Sequence, residues 1–462
     1  MEDGSGPGRG WRVPRSWETL ALILILAVAA GLRLYGLNWD GGQWLHPDER
    51  QIYFIVVRLD WPHSLAEALS RASPLNPGFF AYGSLPFYLL KLVSALLALL
   101  WPLLVDSDSL HLIGRSLSAA FDLGTIYLTY RLVSVLLLRS QGRDNHRLGG
   151  LLAAALTSFA VLHVQLAHFY TPDPLLTFLV MLTLNLAVDV AHSDGHWRRV
   201  GLGIAFGLAL ATKVTAVLLI VPILTACYAH AAKKRMPSKR VNSEPVSASP
   251  PMPAAIRCMI PVLLLAACVF AVTQPYALID WQTFLSDTLR ESQIAWGRLD
   301  APYTRQYAGT LPYIYAMWQT ALWALGLPFG IVAWAALGLG LLRWTRNGDW
   351  ANALLLAWAG TYLAFTGLLY AKYLRYMLPL VPILCMLIIP LLSTRRTEET
   401  ASEEKSSIGR ASMPDAAIAG VLILFSSAYA LAYVSIYTHP HSWITASEWL
   451  YEHVPPGSTL AL

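Results

Sequence analysis

Apolar runs of roughly 20 residues, separated by short polar stretches, recur along the chain from Leu20 to Tyr437. They lie at 20–37 and near 85–105, 112–137, 148–168, 174–191, 200–212, 214–230, 256–274, 314–342, 351–370, 377–392 and 415–437. Runs of this length predict membrane-crossing helices, whereas barrel strands would alternate over about 10 residues. The pattern therefore predicts an all-α polytopic membrane protein. No internal repeat is visible.

Composition sharpens this picture. Hydrophobic residues make up 56 % and charged residues 13 %, and mean hydropathy is +0.49. So few charges cannot cover a water-facing surface around so much apolar material. A soluble enzyme, a disordered chain and a nucleic-acid module are excluded. The net charge of +5 is mild, so the placement of charges is more telling than their sum. Most of the 33 basic residues fall in six clusters: Arg9/Arg12/Arg15, Arg139/Arg143/Arg147, Arg198/Arg199, Lys233–Arg257, Arg343/Arg346 and Arg395–Arg410. The positive-inside rule places all six in the cytoplasm only if one apolar run does not cross. Ser84–Leu103, which carries Lys91 between Pro86 and Pro102, is the best candidate. It reads as a juxtamembrane helix in a long first external loop, 38–112. About eleven transmembrane helices then remain, with the N-terminus cytoplasmic. In the alternative, 84–103 spans and Arg139–Arg147 moves outside.

The first apolar run has no small-residue cleavage site after it and reads as a retained span. A second external loop occupies 275–313, and polar linkers at 231–256 and 393–414 read as cytoplasmic. Residues 1–437 form the transmembrane domain. Residues 438–462 read as the start of a truncated external region, with a short amphipathic helix at Ile444–His453, a Pro-Pro-Gly-Ser turn and a strand-like Thr459–Leu462. Cys227, Cys258, Cys268 and Cys385 lie in or beside apolar runs and show no CxxC spacing.

Candidate chemistry collects on the external side. Trp44-Leu-His-Pro-Asp-Glu-Arg50 places His46, Asp48 and Glu49 at the membrane boundary. Asp173, in Tyr170-Thr-Pro-Asp-Pro174, opens an apolar helix, a position that also suits an ordinary helix cap. Lys213 stands between two short apolar runs, where a lysine is costly without a partner. Lys372 and Arg375, in Tyr370-Ala-Lys-Tyr-Leu-Arg-Tyr376, sit on the external side against the charge rule, as snorkelling anchors also would. Arg115 and Asp122 are seven residues apart on one helix face, and Arg115 is near enough the outer end to pair with a first-loop carboxylate. In 275–313, Glu291, Gln293, Trp296, Arg298, Tyr303, Arg305, Gln306 and Tyr307 mix aromatics with hydrogen-bonding groups, as either a sugar site or an interfacial belt would. Carboxylates activate hydroxyls, and membrane-level cations suit the phosphate of a lipid.

With these motifs in order, the chain resembles the GT-C glycosyltransferases of the family 39 type, which include protein O-mannosyltransferases and bacterial aminoarabinose transferases. The resemblance rests on His46-Pro47-Asp48-Glu49 after the first span, Thr171-Pro172-Asp173-Pro174, Thr212-Lys213 and Lys372-Tyr-Leu-Arg-Tyr-Met-Leu-Pro379. Phe80–Pro86 (FAYGSLP) and Pro302–Tyr313 (PYTRQYAGTLPY) point to a bacterial branch. The resemblance implies a GT-C-like fold with juxtamembrane helices in the first external loop. It implies an inverting transfer of a sugar from a polyprenyl-phosphate donor to a hydroxyl acceptor at the external face. Asp48 is then the general base, with Glu49 beside it, Arg115 orienting Asp48, and Asp173 positioning donor or acceptor. Lys213, Lys372 and Arg375 hold the donor phosphate, and His46, Glu291, Arg298, Tyr303 and Tyr307 are candidates for binding sugar or acceptor. The aminoarabinose branch has an acidic residue beside a lysine where this chain has Tyr82-Gly83-Ser84, so no obligatory metal or other cofactor is expected. The resemblance places the chain in a cell membrane, partnered by lipid, donor and acceptor. A transporter or flippase of lipid-linked sugars is the second reading, although it usually shows repeat symmetry.

Overall fold

The computed structural model describes residues 15–101, 109–141, 146–235, 252–347, 352–393 and 413–459. Among these no β-strand occurs. Helix α1 (Arg15–Leu34) is followed by three helices of the first long loop, α2 (Pro47–Arg58), α3 (Leu65–Ala68) and α4 (Leu85–Leu100). Next come α5 (Leu110–Gln141), α6 (His146–Ser158), α7 (Val161–Ala167), α8 (Pro172–His192) and α9 (His196–Thr212). A 3-10 turn at Val214–Leu219 then leads into α10 (Ile220–Arg235). After α11 (Met252–Thr273) the second long loop holds α12 (Tyr276–Ile279), α13 (Trp281–Ala295) and a 3-10 turn at Pro302–Tyr307. The chain continues through α14 (Ile314–Gln319), α15 (Leu327–Asn347) and α16 (Ala353–Thr366). A 3-10 turn at Leu374–Leu380 precedes α17 (Val381–Ser393), α18 (Met413–Val434) and α19 (Ser442–His453).

Eight described helices are long and apolar enough to cross a membrane, or nine if α6 and α7, which meet at 59°, form one span. The expected eleven also counted 200–212 and 351–370. There α9 and α16 have 17 and 14 residues, and length alone does not make them full crossings. The run near 85–105 becomes α4, a 16-residue helix packed on α2, α5 and α9. Of the linkers, 236–251 and 394–412 lie outside the described residues, as do Arg9, Arg12, Arg143 and residues 460–462.

Buried charged side chains inside the bundle find partners of opposite charge, as an apolar surrounding demands. Asp122 of α5 is bound by both Arg33 of α1 and His163 of α7. The same Arg33 donates to the Ser158 carbonyl at 3.1 Å, where the α6–α7 bend interrupts the helical ladder. Arg115 and Asp122, expected on one face of α5, thus find separate long-range partners rather than forming a polar stripe.

The bundle has two chemically distinct ends. At one, Arg147 pairs with Glu18, Arg131 with Asp189 at 2.6 Å, and Lys234 with Asp194 at 2.5 Å. At the other, the long loops are stitched together. Arg71 donates to Gln282 at 2.5 Å, Asn76 to Asp280 at 3.2 Å, and the Phe80 amide to Asp287 at 2.9 Å. The Tyr370 amide reaches the Ala295 carbonyl at 2.9 Å, fixing the loop after α16 against α13. This stitched end carries the candidate site.

Candidate functional site

The first carboxylate is set by the start of α2. Pro47 occupies the first turn, where its missing N–H costs nothing. His46 caps the helix, its Nδ1 accepting from the Glu49 amide at 3.4 Å, and its ring stacks on Phe169 at 4.4 Å. Burial and the nearby Arg375 and Arg115 cations push the His46 pKa down to about 3, so the ring is neutral and its acceptor nitrogen stays available to the cap. Asp48 follows, half-buried, with both oxygens engaged: Tyr82 donates to Oδ1 at 2.8 Å, and Arg375 pairs with Oδ2.

Arg375 comes from the 3-10 turn at Leu374–Leu380. Its guanidinium lies 4.9 Å from the Tyr373 ring centroid and 5.9 Å from that of Tyr376. The Tyr376 ring also carries the Lys213 ammonium, at 4.9 Å. Lys213 sits in extended conformation between α9 and the following 3-10 turn, so the helix breaks where the cation is needed. Its Nζ donates to Asp173 at 2.9 Å. Asp173 stands in the first turn of α8, where a carboxylate is favoured by the exposed amides and the helix dipole. Asp48, Arg375, Lys213 and Asp173 are thereby joined around one aromatic ring.

The neighbouring loop closes on them. Residues 79–84 bring Tyr82 to Asp48, and the Gly83 amide donates to the Thr212 carbonyl at 3.0 Å, beside Lys213. A Cβ at position 83 would strike the Ala211 carbonyl, so only glycine permits this approach. Burial and the charges of Asp173 and Glu291 raise the Tyr82 pKa well above the usual phenol value. Tyr82 therefore remains a hydrogen-bond donor.

Four other expected residues lie differently. Glu49 is fully buried and points inward. It accepts from Arg115 at 2.7 and 2.9 Å, from Tyr53 at 2.6 Å and from the Tyr170 amide at 2.9 Å. Arg115 spends its remaining donors on Asp40, at 2.8 and 2.9 Å, and on the Leu37 carbonyl at 2.8 Å. The expectation that Arg115 orients Asp48 is corrected here: it locks Glu49 and Asp40, and Tyr82 and Arg375 hold Asp48. Burial works against the Asp40 charge, yet Arg115 and two backbone amides bring its pKa below the ordinary value. Tyr307 is buried, edge-on to Tyr315 and Tyr373. It braces the aromatic wall rather than facing solvent. Lys372 is buried and donates to Thr310 at 3.1 Å and to the Tyr370 carbonyl at 3.3 Å. Desolvation pulls its pKa down.

Glu291 and Tyr303 overlook the cluster. The Glu291 charge is felt at Lys213, Tyr82 and Tyr303, and desolvation of its inner side raises its own pKa. Tyr303 is 58 % exposed. Arg298 is exposed on the turn after α13, and no described contact joins its side chain to the cluster. Tyr82, Tyr376 and Asp40 were not singled out by their residue types. Tyr82 stood in a recognised motif, FAYGSLP, but nothing in that motif names the 34-residue link to Asp48. Among the described residues no group of three or more His, Cys, Asp or Glu has the geometry to hold a metal ion. Asp48 and Asp173 each already neutralise a cation.

The dolichyl-phosphate-mannose-protein mannosyltransferase family matches residues 109–243, less than a third of the chain. No curated protein sequence matches. Among solved structures, the chain is similar to the Archaeoglobus fulgidus oligosaccharyltransferase in complex with zinc and sulfate. The TM-score is 0.56 at 13 % identity, covering 95 % of this chain and 56 % of that one. The Archaeoglobus fulgidus oligosaccharyltransferase AglB with an inhibitory peptide and a dolichol-phosphate gives 0.53 at 13 % identity, covering 96 % and 58 %. ArnT from Cupriavidus metallidurans in the apo state gives 0.50 at 16 % identity, covering 94 % and 72 %. The chain thus spans less than two thirds of the oligosaccharyltransferase chains it matches. The chain shares the fold of these solved structures, and its long apolar helices make it a multi-pass membrane protein.

Proposed function

We propose that this protein is an inverting glycosyltransferase that moves a sugar from a polyprenyl-phosphate donor to a hydroxyl acceptor at the external membrane face. The observation that carries this reading is the junction of two carboxylates and two cations around Tyr376, at the end of the bundle where the long loops meet. The matched family and the dolichol-phosphate in the AglB complex support a lipid-phosphate donor. The charge rule supports the external assignment, because the opposite end carries the Arg147, Arg198/Arg199 and Lys233/Lys234 basic groups.

In this mechanism Lys213 and Arg375 hold the donor phosphate, with Lys372 in reserve behind the aromatic wall. Asp48 takes the proton from the acceptor hydroxyl. The acceptor oxygen attacks the anomeric carbon from the face opposite the phosphate, and the carbon–oxygen bond to the phosphate breaks. The negative charge left on the polyprenyl phosphate is balanced by the two cations, which replace bulk water there. Asp173 keeps Lys213 charged and in place. Glu291 and Tyr303 border the space for the sugar or acceptor, and His46 acts as the cap that fixes the direction of Asp48. No step requires a metal ion.

The test is reconstitution of the purified chain in vesicles with a radiolabelled polyprenyl-phosphate hexose and a hydroxyl-bearing acceptor extract. Transfer of label to the extract supports the proposal. Movement of the lipid across the bilayer with no transfer contradicts it and identifies a flippase. Replacing Lys213 by Gln is expected to raise the donor KM at least tenfold with a smaller effect on kcat. A loss of folded protein with unchanged donor KM in what remains would remove Lys213 from the phosphate site.

A further inference from the structure

Both oxygens of Asp48 have a partner, Tyr82 on Oδ1 and Arg375 on Oδ2. A general base works best when its charge and one oxygen are open to the acceptor hydroxyl, and here the guanidinium offsets that charge. Arg375, for its part, keeps its Nε buried and without a hydrogen-bond partner, a costly arrangement for a guanidinium that has five donors to place. Its side chain and that of Asp48 are each only about a fifth to a quarter exposed, at 24 % and 20 %, so their mutual attraction is only partly screened. The phosphate of a polyprenyl-phosphate sugar presents two non-bridging oxygens that share a full negative charge, a pair that a guanidinium fork binds well, and it would meet Arg375 where Asp48 now pairs with it.

From this geometry, and resting on the reading of the site as one for a polyprenyl-phosphate donor, we infer that the donor phosphate and Asp48 compete for Arg375. Donor binding draws the guanidinium off Asp48 and frees Oδ2 for the acceptor hydroxyl. Without donor the carboxylate stays ion-paired and is a weaker base toward the acceptor hydroxyl. Tyr82 is the positioning residue that keeps Asp48 aimed after Arg375 has left, because its hydrogen bond is to the other oxygen. The order of addition follows: donor first, then acceptor.

The experiment measures equilibrium binding of undecaprenyl phosphate, without sugar, to the full chain in nanodiscs. Replacing Asp48 by Asn removes the internal competitor, so this variant is expected to bind the lipid about tenfold tighter than the unmodified chain. Asp300→Asn removes a negative charge of the second long loop that pairs with Arg305 and does not touch Arg375, and is expected to change binding less than threefold. In the double variant Asp48→Asn/Arg375→Ala the gain disappears, since the contested cation is gone. Asp48→Ala replaces Asp48→Asn if the latter does not fold, with the same expectation. Equal affinity of the unmodified and Asp48-substituted chains overturns the competition, as does a tenfold gain in Asp300→Asn. If the unmodified chain and every variant fail to bind the lipid while remaining folded, the donor assignment itself fails.

Discussion

Asp48 and Glu49 share the first turn of α2, and about 100° of rotation per residue separates their side chains. That rotation sends Asp48 toward Tyr82 and Arg375 and buries Glu49 against Arg115. Adjacency alone does not reveal which of the two carboxylates faces the bundle; only the family resemblance singled out Asp48. Arg115 was legible as a partner for a first-loop carboxylate; which carboxylate it takes depends on contacts 66 and 75 residues away. Its replacement by Ala leaves Glu49 and Asp40 buried without a counter-ion. We expect a loss of about 3–5 kcal/mol in stability, read by thermal unfolding in detergent. A variant as stable as the unmodified chain would show that the network contributes nothing. His46 carries a pH signature. Its folded pKa, near 3, lies below the ordinary value, so below about pH 6.5 the unfolded chain binds a proton that the folded chain refuses. Its contribution is complete above the unfolded pKa and is lost as pH falls toward 3, with a slope of up to about 1.4 kcal/mol per pH unit. His46→Asn, which retains a capping acceptor without titrating, is expected to flatten the decline in unfolding temperature between pH 7 and pH 5. An unchanged slope would refute this.

At the scale of elements, the site depends on helices that stop on time. Lys213 interrupts α9, and Asp173 opens α8, so a break and a start face each other at 2.9 Å. Both were readable, since a lysine at membrane depth implies a partner and an Asp beside prolines implies a helix start. The contribution of residues 79–84 was not legible in the same way. The segment is uncharged, and its meaning lies in the Gly83 amide reaching the Thr212 carbonyl. Gly83→Ala places a methyl against the Ala211 carbonyl, and main chain on both sides leaves little room to yield. We expect it to displace Tyr82 and cut the transfer rate more than tenfold. Normal transfer by this variant would mean that the close approach is dispensable.

At the scale of the whole molecule, apolar run length gave the all-helical membrane architecture. It did not give the number of crossings, because α9 and α16, with 17 and 14 residues, are short for a full crossing and α6–α7 is bent. The stitched loops and the basic end define opposite poles. Cysteines placed at Ser286, on exposed α13, and at His196, exposed at the start of α9, are expected to react with an impermeant maleimide from opposite sides of the membrane, in a chain whose exposed Cys268 is replaced by Ser. Reaction of both from one side would contradict the two-ended arrangement. The central claim, that Asp48 is the base of a lipid-phosphate sugar transfer, meets its most direct test in the reconstituted transfer assay with Asp48→Asn. Transfer is expected to fall at least a hundredfold while thermal unfolding is unchanged; transfer at the unmodified rate by a folded Asp48→Asn protein would remove Asp48 from the role of base.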